Sequence, residues 1–102
     1  MGRLIFGEGI RVDFEDRALA HLHRAMLMKM HKGEGFHLSW ADDMSIGDGR
    51  MTVWVHPETS LVCKLGRPIG ELNPAWISAL TVRANTVEGL ELVAEPAEPG
   101  KR

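Results

Sequence analysis

The chain has 102 residues, 44% hydrophobic and 25% charged, with 12 Lys+Arg against 14 Asp+Glu. That is one globular domain with room for a single core, and its net charge of −2 gives no global attraction for nucleic acid. No apolar run reaches the roughly 18–20 residues of a bilayer span, residues 1–7 hold no signal-peptide apolar region, and the lone Cys63 allows neither an internal disulfide nor a cysteine zinc site.

These features point to a reducing, cytoplasmic setting with no membrane association. The charge is unevenly placed. Residues 1–32 carry six basic side chains (Arg3, Arg11, Arg17, Arg24, Lys29, Lys32) against four acidic ones, and residues 33–102 carry six against ten. An anionic partner would meet the N-terminal third.

In chain order, Leu4-Ile5-Phe6 and Ile10-Arg11-Val12-Asp13-Phe14 alternate about Gly7-Glu8-Gly9, the pattern of a tight hairpin. Glu15-Asp16 sets negative charge at a helix start. Residues 17–31 read as a helix: at about 100° per residue Leu19, Leu22, Met26 and Met30 share one narrow arc, flanked by Ala18, Ala25 and Leu27. Gly33 suits the left-handed position that ends it.

Phe36-His37-Leu38-Ser39-Trp40 and Met51-Thr52-Val53-Trp54-Val55-His56 alternate with period two across a polar connection, residues 42–50. A symmetric hairpin sets Phe36 opposite Val55, Leu38 opposite Val53 and Trp40 opposite Met51. Those residues turn inward and His37 and Trp54 turn outward. Pro57 stops the strand. Leu61-Val62-Cys63-Lys64-Leu65 is the next strand, with Lys64 outward. Asn73-Pro74 opens a second helix over residues 74–84, striped by Trp76, Ile77, Leu80 and Ala84. Leu90-Glu91-Leu92-Val93 is a last strand. Residues 94–102, with two Glu-Pro pairs, read as a flexible tail.

The order β-β-α-β-β-β-α-β predicts a single α+β domain over residues 1–93, one mostly antiparallel sheet with two helices on one face.

Several phrases carry a resemblance: Gly2-Arg3-Leu4-Ile5-Phe6-Gly7, Phe14-Glu15-Asp16-Arg17-Ala18-Leu19-Ala20-His21-Leu22, Phe36-His37-Leu38-Ser39-Trp40, Gly47-Asp48-Gly49-Arg50, Trp54-Val55-His56-Pro57 and Leu72-Asn73-Pro74-Ala75-Trp76-Ile77. Over residues 2 to about 93 the chain resembles a family of small actinobacterial proteins of unknown function whose members are often labelled ATP-dependent DNA ligase. The resemblance implies no functional residue. It leaves an accessory role in DNA repair or ligation as what the label would imply. Self-standing ligation needs a Lys-x-Asp-Gly nucleophile, and none of Lys29, Lys32, Lys64 and Lys101 stands in one.

No catalytic or metal site is predicted. His21 and His23, two apart on a helix, point about 160° apart and cannot chelate together. His37 and His56 converge on the outer sheet face without an evident third ligand. Asp42, Asp43 and Asp48 do not follow the calcium-loop spacing. Cys63 is an inward strand residue, and Ser39, Ser45, Ser60 and Ser78 lack a nucleophile elbow. No phosphate-binding glycine loop is present, and no cofactor is expected.

Two surfaces remain. His37, Ser39, Thr52, Trp54, His56 and Lys64 form an outer sheet patch, covered by a second subunit, covered within the chain, or left open to stack a base with Lys64 beside its phosphate. Arg17, Arg24 and Lys32, with His21, Met28 and His31 adjacent, form a basic helix strip able to bind anions. The leading expectation is a non-enzymatic module that self-associates as a homodimer, through Trp54 and its neighbours or the Met28 side of the helix. The alternative is an accessory nucleic-acid-binding module using the basic strip and Trp54.

Overall fold

The computed structural model describes residues 1–41 and 49–97, so most of the polar connection and the end of the expected tail (residues 98–102) lie outside the described residues. Strands β1 (Gly2–Phe6) and β2 (Ile10–Phe14) form the predicted antiparallel hairpin, with Leu4 opposite Val12 and Phe6 opposite Ile10. Gly7 and Gly9 turn the chain with φ of +62° and +103°, a conformation a side chain would strain.

Helix α1 (Asp16–His31) is capped by the Glu15 carboxylate, which accepts from the Arg17 N–H at 2.9 Å and the Ala18 N–H at 3.2 Å. Its apolar arc is wider than the sequence pattern suggests. Leu19, Leu22 and Met26 are fully buried, and Ala18, Ala25, His21 and Lys29 are buried beside them. The extra arc is covered by helix α2 (Pro74–Ala84), which packs against α1. The Asn73 side chain caps α2 by accepting from the Ala75 N–H at 2.9 Å.

Strands β3 (Phe36–Ala41) and β4 (Arg50–Val55) pair antiparallel in the expected register: Phe36 faces Val55, Leu38 faces Val53 and Trp40 faces Met51. Phe36, Leu38 and Val55 enter the core, and Trp40 is half-buried against it.

The α+β class and the element order stand as predicted, but the sheet is divided in two. Strand β5 (Leu61–Lys64) does not continue the β3–β4 meander. It crosses to β1, giving a three-stranded sheet in the order β2-β1-β5 beside the two-stranded β3–β4 sheet. Phe6 and Trp40 join the two sheets edge to face, with ring centroids 5.9 Å apart. The expected last strand contracts to one parallel bridge, Leu90 beside Leu38, held by Leu90 N–H to His37 C=O at 2.7 Å and Ser39 N–H to Leu90 C=O at 3.0 Å. Each fully buried Leu at the centre, from Leu4 through Leu90, contributes roughly 1.5–3 kcal/mol of apolar burial.

Candidate functional site: the outer face and free edge of the β3–β4 hairpin

Period-two alternation turns every second residue of the hairpin away from the core. His37 and Trp54 lie directly opposite one another on that outer face. Trp54 is 56% exposed, unusual for the largest apolar side chain. The His37 and Trp54 rings meet edge-on with centroids 5.0 Å apart. Trp54 lies over Gly35, where any Cβ would overlap Cζ2 of the indole. Gly89 supports His37 from behind: its φ is +91° and an added Cβ would sit 2.7 Å from the His37 Cβ. Two glycines therefore fix where the indole and imidazole stand.

Thr52 is exposed on the same face, and His56 continues it at the start of the turn into β5. The His56 imidazole is partly occupied, its Nδ1 accepting from the Glu58 N–H at 3.1 Å. Two members of the expected patch do not join its exposed surface. Ser39 is buried, because the Leu90 bridge runs alongside β3 and the Arg50 guanidinium donates to its Oγ at 3.2 Å. Lys64 is exposed but belongs to the other sheet, opposite Arg3 on β1, since β5 pairs with β1 rather than β4.

The edges of this small sheet differ. The outer edge of β3 carries the Leu90 bridge, whereas among the described residues β4 pairs with β3 alone. Met51-Thr52-Val53-Trp54-Val55 contains no proline, glycine or charge. An open edge of β-branched and aromatic residues is a template for further strand pairing. Arg50, at its start, is held by Glu91 at 2.7 Å, and Glu91 also binds Arg83 at 2.7 Å, so the hairpin is braced to the segment after α2.

The basic strip on α1 is smaller than expected. Arg17 is engaged by Glu95 in a two-pronged pair at 2.9 and 2.7 Å. His21, expected at the surface, is fully buried. Lys29 is buried and binds Glu34 at 2.8 Å and the Asn85 side chain. Arg24 and Lys32 stay exposed, with no ion-pair partner among the described residues. Beside Lys32, Leu27, Met28, Met30, His31 and Pro57 line an open groove of about 660 Å³.

Sequence reasoning missed a polar network beneath α2. The His21 ring takes the Asn73 N–H on Nε2 at 2.7 Å and meets the Arg17 carbonyl through Nδ1 at 2.7 Å, which makes Nδ1 the protonated nitrogen. Asn73 Nδ2 donates to Glu95 at 3.0 Å and to the Pro96 carbonyl at 2.8 Å, and Trp76 Nε1 donates to the Val93 carbonyl at 2.8 Å. The Arg17 and Asn73 side chains hold the Glu95 carboxyl down to about 2. Only the Asn-Pro cap was visible beforehand, as a helix start.

Burial pushes the Cys63 thiol up, away from the reactive thiolate. Among the described residues no three His, Cys, Asp or Glu side chains gather as a metal site, and no helix is long and apolar enough to cross a membrane.

The profile of a family described as a domain of unknown function (DUF7882) matches residues 1–95. No curated protein and no solved structure matches the chain.

Proposed function

We propose that this chain, which belongs to the DUF7882 family of domains of unknown function, is a non-enzymatic interaction module that binds a second copy of itself. The observation that carries this reading is the β4 edge, free among the described residues, beside a Trp54 that is 56% exposed. Two β4 strands pairing antiparallel about a two-fold axis would form a four-stranded sheet in the order β3-β4-β4-β3. A two-fold perpendicular to that sheet sets both Trp54 side chains on one face. The apolar strand supplies packing and the unpaired backbone groups supply hydrogen bonds. A contact built on one short strand and one indole per copy falls below the roughly 1,200 Å² of a permanent interface, so the dimer is weak and concentration-dependent. A cytoplasmic setting accords with the half-buried free thiol of Cys63.

Light scattering on a size-exclusion column tests the reading. The native chain runs as a dimer at high micromolar concentration. Thr52→Lys, which brings two lysines toward each other across the axis, returns it to monomer with an unchanged circular dichroism spectrum. A native chain that is monomeric at every concentration overturns the reading.

The accessory nucleic-acid reading keeps two supporting observations, the exposed Trp54 and the exposed Arg24 and Lys32, which have no ion-pair partner among the described residues. Two phosphate contacts would give a salt slope of only about −2 on a double-logarithmic plot, weak and non-specific binding.

A further inference from the structure

We infer that the outer face of the β2–β1–β5 sheet holds a binding site for a small phosphorylated anion, with Arg3, Arg11 and Lys64 as its cations. The site is independent of the β4 edge and of self-association. Strand register places Asp13, Arg3 and Lys64 in one cross-strand row and Arg11, Ile5 and Val62 in the next. These rows bound a depression of about 420 Å³, lined by Arg3, Ile5, Arg11, Asp13, Lys64 and Leu65 among others.

Its charge is unbalanced. Arg3 and Lys64 are like charges directly opposite one another, an arrangement that destabilises a sheet unless an anion answers it. Asp13 answers Arg3, at 2.7 Å. Arg11 and Lys64 have no ion-pair partner among the described residues. The Asp16 carboxylate, which binds the Gly66 N–H at the rim of the depression at 2.9 Å, is buried and also engaged by the Met1 α-ammonium at 3.4 Å and the Arg67 guanidinium at 3.8 Å. Among the described residues, Arg3, Arg11, Lys64 and the Met1 α-ammonium, which also pairs with Asp16 at 3.4 Å, thus face the Asp13 carboxylate around a single concavity, on a chain whose net charge is −2.

The strands carrying Arg11 and Lys64 stand about 10 Å apart, two inter-strand spacings. Side chains of that reach bracket one phosphate group between them, with Arg3 in the middle strand. Among the described residues no aromatic side chain lines the depression. Without a stacking platform, and with cations gathered at one point rather than along a track, the arrangement suits a compact multivalent anion better than a nucleic-acid strand. Ile5 and Leu65 give it an apolar side.

The test is a backbone amide NMR titration of the full chain with inorganic pyrophosphate at fixed ionic strength. Shifts are expected in β1, β2 and β5, and the Arg11→Gln/Lys64→Gln double variant should bind about tenfold or more weakly, having lost two charge-assisted contacts. The Arg24→Gln/Lys32→Gln variant, with the same change in net charge, should bind as the native chain does. Absence of shifts at millimolar pyrophosphate, or equal weakening in both variants, overturns the site. So does an oligonucleotide that displaces pyrophosphate from the same residues at lower concentration.

Discussion

His21 shows how one side chain ties distant segments together. Fully buried, it links the backbone of α1 to the cap of α2 and lies against Trp76 with ring centroids 4.4 Å apart. Replacing it with Leu keeps bulk but leaves the Asn73 N–H without its acceptor in a buried site. His21→Leu is expected to lower unfolding stability by about 2–4 kcal/mol in urea denaturation. Trp54 is the opposite case: Trp54→Ala removes an exposed ring and should leave stability within about 1 kcal/mol of native while weakening dimerisation. The sequence placed Trp54 correctly and His21 wrongly, for a physical reason. In a strand, direction follows from parity, and the parity of Phe36, Leu38 and Val55 was clear. On a helix, burial depends on what covers each arc, and nothing in residues 17–31 announces that α2 will bring Trp76 and the Asn73 cap onto His21.

At the scale of elements, the segment after the Leu90 bridge is a strap. Trp76 holds Val93, Asn73 holds Pro96, and Arg17 and Asn73 hold Glu95. The Glu95 carboxyl, lowered to about 2 in the fold, stays charged where its unfolded counterpart is protonated. Its contribution is therefore complete above the ordinary value of about 4.5 and is lost as pH falls toward 2. Asp16, lowered chiefly by the Gly66 N–H, loses its contribution in the same direction. Solvent exchange of the Trp76 indole N–H, which donates to the Val93 carbonyl of the strap, should rise as pH falls through that window after correction for intrinsic rates, and Arg17→Gln should move the onset to higher pH. Exchange that does not change down to pH 2 would show that the ion pair does not hold the strap. The crossing of β5 to β1 was hidden for a related reason. Chain neighbours usually pair, and the alternation of residues 61–65 states which face is inward but not which strand lies alongside. Lys64 was thereby assigned to the Trp54 face when it belongs with Arg3.

At the scale of the molecule, dividing the sheet creates the surfaces that matter. A continuous five-stranded sheet would have covered the edge of β4 with β5. With β5 taken by β1, β4 has one neighbouring strand among the described residues, and the basic residues of β1, β2 and β5 gather on a separate face. The proposed self-association and anion sites then lie on different sheets, so Thr52→Lys should leave pyrophosphate binding intact, and Arg11→Gln/Lys64→Gln should leave the dimer intact.

Amide hydrogen exchange of Met51–Val55 at micromolar and at millimolar protein concentration tests the β4 contact most directly. Slower exchange at the higher concentration, confined to that strand and the residues beside Trp54, is the predicted result. Identical exchange at both concentrations, or protection appearing instead along Leu27 and Met28, would contradict it.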